Sequence, residues 1–195
     1  MNPMLILLPV VATLVSFLHY FIGLTGYGIF MPTMMAVTFL SMGVLEGLVL
    51  FGLILVISLV SNAILKKFRL HFWPARAINL AFIGIGVSSL SDWVYRQYSL
   101  NLSNIYGVMI MILLVEEFVH TQLVKSKGEA KRLILGTLVL AIIGAEVMSI
   151  AGIQNWVLAH PYLTILLIVI ANIIIGNYRG MRLIEIGRFG KAIRR

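Results

Sequence analysis

The sequence predicts an all-α membrane protein, a polytopic helical bundle of about seven hydrophobic segments with an amphipathic tail. Three observations predict it. Of the 195 residues, 61% are hydrophobic and only 11% charged, where a soluble domain carries about a quarter charged residues. Apolar runs long enough for membrane helices recur along almost the whole chain, leaving no stretch large enough for a separate soluble core. The basic residues that produce a net charge of +8 fall mostly in short clusters between those runs, a pattern of membrane topology and not of nucleic-acid binding. The absence of cysteine excludes a disulfide framework, a thiol nucleophile and a thiolate metal site.

Taken in order, the expected spans are Met4 to Ile22, Gly28 to Ser41, Leu45 to Leu65, Ala75 to Leu90, Ile105 to Val124, Leu133 to Ile153 and Leu163 to Tyr178. The first follows Met1-Asn2-Pro3, which has no basic residue, and runs on without a small-residue cleavage site. It therefore reads as an uncleaved span and not a signal peptide. Lys66, Lys67, Arg69 and Arg76 separate the third and fourth spans, and Lys125, Lys127, Lys131 and Arg132 the fifth and sixth. Six further basic residues follow Tyr178. These three faces are expected in the cytoplasm, because basic clusters resist translocation. Loop 91–104 has only Arg96, offset by Asp92, and loop 151–162 has no basic residue. Trp73, Trp93, Trp156, Tyr162 and Tyr178 fall near span ends, where amphipathic rings suit the headgroup layer. The domain reading is a transmembrane unit over 1–178 and a basic cytoplasmic tail over 179–195, with no internal repeat or linker.

The second segment is the anomaly. Gly28 to Ser41 rises only about 20 Å as a helix, against a hydrocarbon core of about 30 Å. Gly26 and Gly28 permit backbone angles that other residues avoid, and Pro32 removes a donor, so this stretch is written like a broken helix. Freed backbone groups must then be covered by protein or water. Two geometries satisfy the third span's outside start: a short buried crossing with the amino terminus outside, or a re-entrant segment with the amino terminus inside.

Small-residue stripes, Ala77-Ala81-Gly84-Ser88 on the fourth span and Ala141-Ala145-Ser149-Gly152 on the sixth, predict helices inside the bundle and close approach to each other, to another span or to a partner subunit. Ionisable residues in lipid cost roughly 2.5 to 3.5 kcal/mol each and persist when paired, hydrated or used. Glu116, Glu117 and Glu146 are therefore the intramembrane candidates. Glu116 and Glu117 point about 100° apart on a helix, so one is expected to face the bundle and the other the interface. Glu146 is expected either to bond Asn79 or Asn172 or to line a polar path. Glu46 reads as interfacial. The four histidines show no metal-ligand spacing, so no metal site or cofactor is expected.

The tail "GNYRGMRLIEIGRFGKAIRR" alternates basic and apolar residues, as a segment lying on an anionic leaflet does. Its Tyr178, Arg182, Glu185, Arg188 and Phe189 are more specific than an anchor needs, and they are the cytoplasmic docking candidates. Here the chain resembles a known family: the bacterial seven-transmembrane domain usually fused to an inactive transglutaminase-like domain and found beside ATP-grasp ligases. "GNYRGMRLIEIGRF" resembles that family's ending, "GIFMPTMMAVTF" its Phe-Met-Pro segment, and "LLVEEF" its glutamate at Glu116, with Glu117 replacing an arginine. More distantly the chain is similar to the small membrane subunit of poly-gamma-glutamate synthases. The resemblance implies a multi-pass protein of the bacterial inner membrane with its C-terminus in the cytoplasm. It also implies a ligase-like cytoplasmic partner, with the soluble domain supplied by a separate polypeptide, and a possible homo- or hetero-oligomer.

No nucleotide loop, nucleophile with a base, or paired metal carboxylates occurs, so no catalytic residue is expected in this chain. The leading expectation is a non-catalytic membrane subunit that docks an ATP-grasp or Mur-ligase-like enzyme and helps export a capsule-like polymer. The alternative is a free-standing transporter or channel with intramembrane glutamates along its path.

Overall fold

The computed structural model describes residues 3–68, 71–98, 105–124 and 127–177, all helix or helix connection with no strand among them. The helices are α1 (Pro3–Phe17), α2 (Phe30–Met42), α3 (Val44–Leu65), α4 (Phe72–Tyr98), α5 (Ile105–Val124), α6 (Lys127–Ser149), α7 (Ala151–Ala159) and α8 (Pro161–Gly176). A π-helical turn, Leu18–Ile22, extends α1, and a 3-10 turn, Lys66–Phe68, extends α3. The docking candidates Tyr178, Arg182, Glu185, Arg188 and Phe189 lie outside the described residues.

Helix ends follow backbone signals where hydropathy did not. α5 has the limits expected. α4 is longer than its apolar run because hydropathy marks what lipid tolerates, whereas a helix continues until something stops it. For the same reason α6 begins at Lys127, inside the basic cluster. The expected loop 151–162 contains α7, a correction: after α7 the chain turns by 106° into α8. Pro161 at the first position of α8 produces that turn, since it displaces the residue before it from helical angles; His160 sits at φ −131°, ψ 61°. By length and composition α3 with its 3-10 extension (Val44–Phe68) and the stretch Gly128–Ser149 of α6 are each able to cross a membrane; α7 and α8 qualify as a bent pair.

The chain divides into two compact units. In residues 41–130, α3 packs on both α4 and α5. Its inward residues Gly47, Leu50, Phe51, Ile54, Ser58, Ser61 and Leu65 recur at three- and four-residue steps, the period of one helix face. They meet Ile83 and Val87 of α4 and Met111, Val115 and Phe118 of α5 as the buried core of this unit, with the Phe51 and Phe118 rings edge-on at 5.5 Å. The small-residue stripe of α4 does not take part: Ala77, Ala81, Gly84 and Ser88 are all exposed, and a Cβ on Gly84 would meet nothing. Within this unit the stripe therefore makes no close helix approach. Asn79 decides the facing, because a buried amide needs a partner and finds the Ser58 hydroxyl on α3 at 3.2 Å.

In the unit formed by residues 1–40 and 131–195, α1 packs on α7 and α8, and α6 receives α1 and α2 on its small face. Apolar burial has no driving force in lipid, so close backbone approach and hydrogen bonds hold such helices together. At Gly144 a Cβ would come within 2.9 Å of both Ala36 and Val11, and Gly26 lies against Thr137 and Leu140. With Gly26 and Ala36 meeting successive turns of α6 in rising order, α2 runs along α6 in the same direction. Val15 shares a cavity with Leu140 and Val11 lies at Gly144, so α1 runs the opposite way. Of the sixth-span stripe, Ala141 and Ala145 are buried while Ser149 and Gly152 are exposed.

Candidate functional site

The break between α1 and α2 is where the chain leaves regular structure. The π-helical turn ends with the Gly23 and Leu24 amides both donating to the Leu18 carbonyl, at 3.1 and 3.4 Å. Gly23 (φ 92°) and Gly28 (φ 60°) hold the left-handed angles on either side of the connection, which only glycine adopts without strain. Gly26, expected to do this, instead supplies the close approach to α6. Pro32 is buried near the start of α2, where first-turn amides have no intrahelical acceptor and its missing N–H costs little.

Backbone of this kind survives in a membrane only where protein covers it, and here α6 and His19 do so. The Tyr27 amide donates to Thr137 Oγ1 at 2.9 Å, while the Thr137 hydroxyl spends its own proton on the Leu133 carbonyl at 2.8 Å. The Thr25 carbonyl lies against Gly136 in the space a Cβ would fill. His19 Nδ1 sits 2.8 Å from the Leu24 carbonyl. A carbonyl only accepts, so Nδ1 carries the hydrogen of this bond.

Beside the break lies a cavity of about 150 Å³ lined by Val15, Ser16, His19, Tyr20, Gly26, Gly28, Ile29 and Leu140. No charged carboxylate, lysine or arginine lines it. Ser16, His19 and Tyr20 give it a polar side that suits a small hydrogen-bonding group, as an amide is. Among the described residues no group of three His, Asp or Glu is placed to hold a metal.

A second polar feature is built within the α3–α4–α5 unit. Arg76 Nε of α4 lies 3.0 Å from Glu116 Oε1 of α5, with the side chains 32% and 14% exposed. Glu116 Oε1 makes no aligned hydrogen bond, so the contact is an ion pair held by charge. One turn along α4, Asn79 donates to Ser58, and its Oδ1 and the Ser61 hydroxyl are buried without a partner among the described residues. Glu117 is exposed, so the two consecutive acids do face differently.

Of the two partners expected for Glu146, Asn172 lies in the same unit and bonds elsewhere. Asn79 bonds Ser58; Asn172 donates to Thr13 Oγ1 at 2.7 Å and to the Ile168 carbonyl at 2.9 Å; and Glu146 is exposed. Glu146 points outward because Ala141, Gly144, Ala145 and Met148 already occupy the inward face of α6. His19, Gly136 and Thr137 were not singled out from the sequence, and Arg76 was counted only as a topological charge. The step from Arg76 to Asn79 is the one signal that marks a polar inward face on α4.

Comparison with curated proteins and with solved structures finds no match. A family model does match, described as seven transmembrane helices usually fused to an inactive transglutaminase, and it extends over residues 1–193. The chain is a membrane protein belonging to that seven-transmembrane family.

Proposed function

We propose that this chain is the non-catalytic membrane subunit of an assembly that builds or exports a peptide-like, amide-linked polymer of the poly-gamma-glutamate kind. A cytoplasmic amide ligase of ATP-grasp or Mur-ligase type docks on its basic loops and tail. The observation that carries the reading is the family's usual partner. A transglutaminase works on side-chain amides, and members of this family are usually fused to an inactive one. The cavity at the break, with Ser16, His19 and Tyr20 on its polar side, suits the same functional group. Replacing Arg182 and Arg188 together by lysine is expected to leave membrane insertion unchanged and to reduce recovery of a ligase partner several-fold. Lysine keeps the charge a lipid anchor needs but lacks the planar fork that grips carboxylates. Pull-down at matched membrane levels measures it, and equal recovery removes the docking role.

The second reading is a free-standing transporter, favoured by the broken helix, since discontinuous helices form substrate sites in many transporters. Flux by the lone chain in proteoliposomes distinguishes it. Under either reading the parallel course of α2 and α6 supports 28–41 as a short crossing. The amino terminus then lies outside, and α1 to α6 and α8 form the seven spans. The natural chain has no cysteine, so single cysteines report cleanly. One at position 2 is expected to react with an impermeant reagent on intact cells, and those at 67, 127 and 194 only after permeabilisation. Protection at position 2 restores the re-entrant geometry.

A further inference from the structure

On the other side of the broken segment is an open groove of about 260 Å³, walled by Gly23, Leu24 and Thr25 of the connection and by Arg132, Leu135, Gly136 and Val139 of α6. We propose that this groove is a binding site for an anionic phospholipid, its phosphate held by Arg132 and Thr25 and its acyl chain laid over Leu135 and Val139. Arg132 is exposed, and neither its guanidinium nor the Thr25 hydroxyl has a partner among the described residues. Both are donors, and no acidic residue lines the groove. A phosphate diester offers the complementary charge and acceptors.

The remainder of the wall decides between a lipid and a free anion. Leu135 is 63% exposed and Val139 43%, and from Arg132 to Val139 the groove follows α6 for about two turns, roughly 10 Å. A soluble anion would fill the Arg132 end and leave this apolar length idle. An amphiphile fills both, with its head at the basic end of the helix, where an anionic leaflet lies beside cytoplasmic charges. The close seat of the Thr25 carbonyl on Gly136 keeps the two walls at fixed separation, so the site is formed before the lipid arrives.

The test is native mass spectrometry of the full chain in detergent, titrated with phosphatidylglycerol, phosphatidylcholine or inorganic phosphate. Saturable retention of phosphatidylglycerol over phosphatidylcholine is expected, weakened about tenfold by Arg132→Gln. Lys131→Gln, which removes an equal charge outside the groove, should leave it unchanged. Thr25→Val on the opposite wall is expected to weaken binding several-fold, a reading that does not depend on the arginine variant folding. Equal retention of the two lipids, equal effects of the Arg132 and Lys131 variants, or no effect of either groove substitution overturns the proposal. So does displacement of the lipid by inorganic phosphate at matched concentration, which would make this a soluble-anion site.

Discussion

Gly136→Ala is expected to produce the largest loss of stability of any alanine substitution among the described glycines. The new Cβ would occupy the place of the Thr25 carbonyl. A side chain can rotate away from such a clash, but a carbonyl moves only with its peptide plane, and this plane belongs to a connection pinned on both sides. His19 holds the Leu24 carbonyl and Thr137 holds the Tyr27 amide. Relief therefore requires lifting the connection off α6 and surrendering those bonds where no water replaces them. Overpacking costs about 1–3 kcal/mol when side chains can adjust, and this site belongs at or above the upper end. Thermal unfolding and monodispersity in detergent are the readouts, with Gly152→Ala as control, since a Cβ there meets nothing. A Gly136→Ala protein that melts with the parent would show that the connection does not rest on α6.

Removing Arg76 is expected to cost more than removing its partner. Arg76→Gln leaves the Glu116 carboxylate, only 14% exposed, without a counter-charge in a low-dielectric setting, a loss of about 3 kcal/mol. Glu116→Gln leaves a guanidinium on a long stem near the start of α4, where it reaches the headgroup layer, and the loss should be nearer 1 kcal/mol. The double glutamine variant should recover most of the difference, because the penalty comes from an unpaired charge and not from the pair's own strength. Equal melting of all three variants and the parent would mean that the pair contributes nothing to the α4–α5 arrangement.

Much of the fold was legible because its signals are local. Lipid compatibility is a sum over neighbouring side chains, so apolar helices could be placed directly, and Ile105–Val124 appears with the limits expected. The break before α2 was legible as well, since glycine and proline act on their own backbone. Its execution differs in detail: Gly23 and Gly28 take the left-handed angles, and Gly26 makes the contact. The α7 helix was missed because a stretch without basic residues reads as a loop in a topological analysis, although nothing in 151–159 forbids a helix.

The candidate sites were far less legible. Composition and periodicity by themselves determined that the chain lives in a bilayer, which residues face it in bulk, and that the second segment departs from a regular helix. Only the tertiary structure decided that Thr137 receives the Tyr27 amide, that Glu116 meets Arg76, that Asn79 bonds Ser58, and that the small stripe of α4 faces away from α3 and α5. The physical reason is that hydropathy and backbone preference are properties of a residue and its neighbours along the chain. A hydrogen bond, an ion pair or a methyl-sized clash depends on the register and rotation of two helices, and those are set by all of their contacts at once.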